Sequence, residues 1–206
     1  MSETTRTSDE RSLHDEPGDV DRDALGRGAR AVFDWVLVVG IAILVAVLVR
    51  TFVLAHFVVD GTSMASTLDT GDRVFVNKLS YRLGEPGRGD VIVLHQLNGT
   101  TERDLIKRVI ALPGEEIEIR SCEVLITDTD GTTRRLLEPY LDPQVVAPGN
   151  CGGDTPPTPV PPEHIFVLGD NRSGSQDSRA LGPIETDEVV GRAFVVFWPR
   201  QNWQWL

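Results

Sequence analysis

Residues 31–49 form an apolar run in which Asp34 is the single charged side chain. Crossing the hydrocarbon core of a bilayer takes roughly 20 apolar residues in a helix. The run therefore reads as a transmembrane helix, assigned to residues 31–50. Trp35 stands near one end of it, where an interfacial aromatic is expected. Arg22, Arg27 and Arg30 precede the run and Arg50 follows it. Excess basic charge marks the cytoplasmic side, so this reading places the N-terminus in the cytoplasm and the larger C-terminal part outside. Residues 1–30 are polar, without apolar periodicity, and read as a disordered cytoplasmic tail. A competing reading treats the apolar run as a cleavable leader ending near Val53-Leu54-Ala55. Against it, the run exceeds the usual 7–15 residues of such a segment and starts behind a long polar stretch.

From Thr51 onward the sequence looks β-rich. Apolar or alternating segments occur at 52–59, 73–77, 90–94, 105–111, 116–120, 165–168 and 189–198. Turn signals separate them, among them Glu85-Pro-Gly87, Leu112-Pro-Gly114 and Asp130-Gly131. No long helical periodicity follows residue 60, so the expected fold is mainly β, an antiparallel sheet. Residues 115–163 differ in texture, being acidic and ending in a proline-rich stretch at 154–162. Prolines at that density are not expected inside a sheet. The stretch is read as an inserted β/loop subdomain between two parts of a core, 51–114 and 164–206. Cys122 and Cys151 both fall in it. They form no C-x-x-C pair and no histidine cluster accompanies them, so no metal site is expected. Outside the cytoplasm a disulfide between them is open, as are two free thiols. A net charge of -11 argues against nucleic acid as a partner, which requires a basic face.

Three segments carry candidate chemistry. Val58-Val-Asp-Gly-Thr-Ser-Met-Ala-Ser-Thr-Leu68 puts a serine after a glycine turn that ends an apolar strand. Leu105-Ile-Lys-Arg-Val-Ile-Ala-Leu-Pro-Gly114 puts a lysine inside an apolar strand. Gly169-Asp-Asn-Arg-Ser-Gly-Ser-Gln-Asp-Ser-Arg179 is a polar loop after a short apolar strand. Each alone is commonplace: a turn, a strand-edge lysine, a surface loop rich in Asx turns.

Together and in this order they resemble the bacterial type I signal peptidases, in the single-anchor form of Gram-positive bacteria. Gly71-Asp-Arg-Val-Phe-Val-Asn-Lys78 and Arg88-Gly-Asp-Val-Ile-Val93 extend the resemblance, which runs over residues 31–198. It implies a membrane-bound serine endopeptidase that removes signal peptides from exported preproteins, with no cofactor. Ser63 would be the nucleophile and Lys107 the general base. Ser175 would hydrogen-bond the lysine, and Asp177 and Arg179 would form a supporting ion pair. Met64, Leu68, Leu105 and Ile106 match pocket-lining positions that accept small side chains, giving cleavage after Ala-x-Ala. The chemistry is coherent: a serine hydroxyl needs an adjacent base, and burial among Leu105, Ile106, Val109 and Ile110 would favour the neutral amine.

Two positions depart from the family pattern. Gly61 stands where some members carry a serine hydroxyl that helps hold the oxyanion. Ser66 replaces the usual proline, which removes a fixed φ and is expected to loosen the turn after Ser63. The C-terminal Trp198, Trp203 and Trp205 suit docking on the lipid bilayer, with core packing as the duller reading. Two rival functions remain. A self-cleaving repressor shares Ser/Lys chemistry but would be soluble and bind DNA. A non-catalytic membrane-anchored binding protein is suggested only by Ser66 and is opposed by the retained polar set.

Overall fold

The computed structural model describes residues 22–98, 101–147 and 149–206. Residues 1–21 of the expected tail lie outside this range. Helix α1 spans Arg22–Phe52 and so takes in residues 22–30, which were expected to lie in the tail. Once an apolar helix exists, each further residue adds a hydrogen bond without a new nucleation cost. The Arg, Ala and Leu residues ahead of the run are good helix formers. Within α1, Val32–Phe52 is long and apolar enough to cross a membrane, and none of its most apolar window is buried against protein.

Residues 47–206 form a second compact unit. Its elements are β1 (Leu54–Val58), β2 (Arg73–Asn77), the single turn α2 (Ser80–Leu83), β3 (Val91–Asn98) and β4 (Thr101–Ala111). Next come β5 (Glu116–Arg120), β6 (Glu123–Thr127), β7 (Thr133–Arg135) and β8 (Thr155–Pro159). The chain closes with β9 (His164–Leu168), α3 (Ser178–Leu181), β10 (Ile184–Glu185), β11 (Val189–Trp198) and β12 (Gln204–Trp205). The larger sheet runs β1-β2-β11-β3-β4-β9-β10, with β12 beside β11, and a four-stranded sheet runs β7-β6-β5-β8. Every pairing is antiparallel, as the alternation of strands and turns predicts.

Strands β3 and β4 are longer than the apolar pattern suggests. Their outer halves pair His95 with Asp104 and Gln96 with Arg103. These polar residues carry no hydrophobic signal, and the backbone ladder alone extends the hairpin. The prolines of 154–162 are the clearest correction. Thr155–Pro159 is a strand despite Pro156, Pro157 and Pro159, because β8 lies at the edge of its sheet and bonds only to β5. An edge strand tolerates missing N–H donors on its outer side.

Three apolar clusters fill the unit. In β3, Val91 and Val93 enter one cluster while Ile92 and Leu94 enter another. That strand is buried on both faces, which explains its unbroken apolar run. The first cluster also holds Val59, Met64, Leu68, Val74 and Val76, so it underlies the segment after β1. A further cluster joins Ile110, Phe166 and Leu168 to Ile117, Ile119 and Ile126, packing one sheet on the other. Burying each such side chain contributes about 1.5–3 kcal/mol. Gly191 marks a close approach in β11: a Cβ there would stand 2.4 Å from the Asn77 carbonyl oxygen.

Candidate active site

The segment after β1 turns sharply. Val59 N–H donates to Asp72 O and Gly71 N–H returns a bond to Val59 O, closing a loop over residues 60–70. Gly61 enters it at φ 103°, a conformation that glycine accepts without strain. Two bonds onto Met64 O, from Thr67 N–H and Leu68 N–H, wind the chain tightly beyond Ser63. The buried side chains of Met64 and Leu68 anchor this turn in the core.

Lys107 lies opposite Ile92 in the β3–β4 ladder. Its Nζ donates to Ser63 Oγ at 2.8 Å and to Ile106 O at 2.9 Å. Only 2% of the lysine is exposed. Burial pushes its pKa down from 10.5 to about 8, against the opposing pull of Asp177 and Asp170. A carboxylate at contact distance would hold the ammonium charged, and Lys107 makes no such ion pair among the described residues.

The loop after β9 braces this pair. Asp177 Oδ2 accepts from Gly169 N–H at 3.0 Å, and both Asp177 oxygens accept from the Arg179 guanidinium at 2.8 Å. Arg179 also donates to Arg172 O at 2.6 Å and Cys151 O at 3.1 Å. Cys122 and Cys151 are bonded, with their sulfurs 2.04 Å apart. Asn171 grips the serine turn twice, its backbone N–H donating to Ser63 O and its Nδ2 to Thr62 O, both at 3.0 Å. Gly169 allows this approach, since a Cβ there would fall 2.4 Å from Ser63 O and 2.2 Å from Ser175 Oγ.

Ser175 departs from expectation. Its hydroxyl is buried without any hydrogen-bond partner, so it does not bond Lys107 here. It packs against Gly169, the residue that also approaches Ser63 O. Leu68 also departs: it is fully buried in the core and does not line the cleft beside Ser63. That cleft holds about 90 Å³ and is lined by Phe57, Val58, Met64, Leu105 and Ile106 together with Ser63 and Lys107. Its two long walls are strand backbones with an open side. In its sheet β1 pairs only with β2, and β9 pairs with β4 only at Arg108, Val109 and Ala111. Residues 104–107 therefore keep one backbone edge unpaired by strand among the described residues, facing a cleft that an extended peptide would fit.

Sequence reasoning missed the buried charge pairs. Arg108 binds Asp170 through two parallel bonds of 2.9 and 2.7 Å, and its guanidinium lies 3.9 Å from the centre of the Tyr140 ring. Arg172 forks onto Glu138 in the same manner. The signal was present in part, since Arg108 follows Lys107 inside an apolar strand and Asp170 follows Gly169 in the polar loop. Among the described residues no group of His, Cys, Asp or Glu could hold a metal ion.

The family described as signal peptidase, peptidase S26, matches residues 32–198. Signal peptidase I of Bacillus caldolyticus is 40% identical over 167 residues, covering 77% of this chain and 87% of that protein. Signal peptidase I T of Bacillus subtilis is 37% identical over 172 residues, covering 81% and 85%. A crystal structure of a signal peptidase I from Enterococcus faecalis is 29% identical, with a TM-score of 0.42 over 53% of this chain and 97% of that one.

Proposed function

The chain belongs to the type I signal peptidases of the peptidase S26 family, and from that membership we propose that Ser63 attacks the scissile carbonyl with Lys107 as its general base. Membership makes it a membrane serine peptidase that removes signal peptides from exported preproteins. The observation carrying the finer reading is the 2.8 Å contact between Lys107 Nζ and Ser63 Oγ in a setting that favours the neutral amine.

A neutral Lys107 accepts the Ser63 proton as Oγ bonds to the carbonyl carbon. The Ser63 backbone N–H supplies a donor for the oxyanion. The resulting ammonium then protonates the leaving amine, the C–N bond breaks and an acyl-serine remains. Water, deprotonated by the same lysine, cleaves the ester and restores the site. The leader lies extended between β1 and residues 104–107. Met64, Leu105 and Ile106 crowd the cleft, which restricts it to small side chains and accounts for an Ala-x-Ala preference. Asp177 and Arg179 hold the loop that carries Gly169 against Ser63. Arg22, Arg27 and Arg30 ahead of the apolar helix favour a cytoplasmic N-terminus and a catalytic unit on the outer face of the cell membrane. The exposed Trp198, Trp203 and Trp205 suit contact with the lipid bilayer.

The test is cleavage of a preprotein bearing an Ala-x-Ala site by the full-length chain in detergent. The wild type should cut after the second alanine. Ser63→Ala and Lys107→Ala should each lose about 10⁴-fold or more in kcat/KM. Near-normal cleavage by Lys107→Ala would remove the lysine from the mechanism.

A further inference from the structure

A second cavity, of about 390 Å³, opens beside the serine turn. Its walls come from three parts of the chain: Ser66 after the nucleophile, Asn171 and Ser173 from the loop after β9, and Asp142, Gln144 and Asn150 from the disulfide-bonded segment. The cleft holding Lys107 shares none of these residues. Asn171 joins the cavity to the reacting serine, because the same residue bonds Ser63 O and Thr62 O.

A peptide cut at Ser63 must leave in two directions. The cleft between β1 and β4 takes the leader side of the scissile bond. For the chain beyond that bond, the cavity beside the turn that follows Ser63 is open, with Ser66 and Asn171 in its wall. From this placement we propose that the cavity is a binding site for a side chain of the mature segment, within its first residues after the cut, and that it selects a basic side chain over an acidic one. The inference rests on the assignment of Ser63 as nucleophile.

The selectivity follows from the lining. Among the described residues of the wall Asp142 alone is charged, and its neighbours carry amides and hydroxyls. Asp142 Oδ1 accepts from Gln144 N–H at 2.8 Å, which holds the carboxylate in place while leaving the second oxygen for a ligand. Asn150 Nδ2 donates to Gln144 O at 3.0 Å and stiffens the same loop. Val145 and Ala65 give the cavity an apolar side, against which the methylenes of a lysine or arginine can lie while the cationic head reaches Asp142. A glutamate there would meet a like charge, and no described residue of the lining carries a cation to offset it.

The experiment is a competition between preproteins with identical leaders, cut by the full-length chain in detergent. They carry Lys, Gln or Glu at one of the first three mature positions. Products quantified together give ratios of kcat/KM, and a partly unfolded variant lowers all rates without changing a ratio. At one position the wild type should favour Lys over Glu about threefold, the size expected of a solvent-exposed ion pair. Asp142→Asn should bring that ratio to about one, and Asp142→Lys should invert it. A Lys/Glu ratio that is the same in wild type and Asp142→Lys at all three positions overturns the proposal while leaving the dyad standing. If the wild type cuts none of the substrates, the dyad reading fails and the proposal falls with it.

Discussion

At the scale of single residues, the proposed role of Lys107 as base predicts a pH dependence. The base must be neutral to accept the serine proton, and its burial brings the pKa to about 8. Below that value kcat/KM should fall about tenfold per pH unit, and above it should level off. A profile flat from pH 6 to 10 would mean that Lys107 does not act as the base. Ser66 offers a second test. The sequence suggested that the missing proline merely loosens the turn, but Ser66 sits at φ 85°, and a proline ring holds φ near -65°. The turn is thus wound in a hand that proline cannot adopt, so proline at this position demands a different backbone. Ser66→Gly should raise stability by about 1 kcal/mol by relieving the left-handed conformation, whereas Ser66→Pro should lower the Tm. Equal or higher Tm for Ser66→Pro would show that the turn readily rewinds. The closeness of Ser63 and Lys107 was readable only from the order of three separate segments, since each segment alone is commonplace. The partners of Arg108 and Arg172 were not, since Asp170 and Glu138 are 62 and 34 residues away in sequence and their pairing is made only by folding.

At the scale of elements, strands with apolar alternation were legible to the residue: 73–77, 116–120 and 189–198 match β2, β5 and β11. Strands held by position rather than composition were not. β8 is an edge strand made largely of proline, and the outer halves of β3 and β4 are mostly polar, with Leu97 the exception. The segment between β7 and β8 has no regular structure among its described residues and is tied down by the disulfide. The bond closes a loop with a sequence separation of 29, for which chain-entropy arguments give about 3–4 kcal/mol. Replacing both cysteines by serine should lower the Tm by several degrees. Activity should fall as well, because the disulfide fixes the segment whose Cys151 backbone carbonyl accepts from Arg179, the partner of Asp177. A double variant with unchanged Tm and rate would make the bond dispensable.

At the scale of the whole molecule, the sequence reading of a mainly antiparallel β fold behind one apolar helix matches the structure. The way two sheets share the cluster around Phe166 was not legible, because composition does not say which faces meet. The loop after β9 is where the parts converge, taking bonds from β4 through Arg108, from the segment before β8 through Glu138 and Cys151, and from the serine turn through Asn171.

Only Val53 separates the end of α1 from the start of β1, a strand that borders the cleft beside Ser63. With α1 as membrane anchor, the search for substrate becomes a diffusion problem in two dimensions. Turnover of a membrane-bound preprotein should then track the number of enzyme and substrate molecules per unit of bilayer area. Adding empty lipid vesicle area by fusion, at constant bulk concentrations, should slow cleavage in proportion, much as a larger dance floor delays the meeting of the same two dancers.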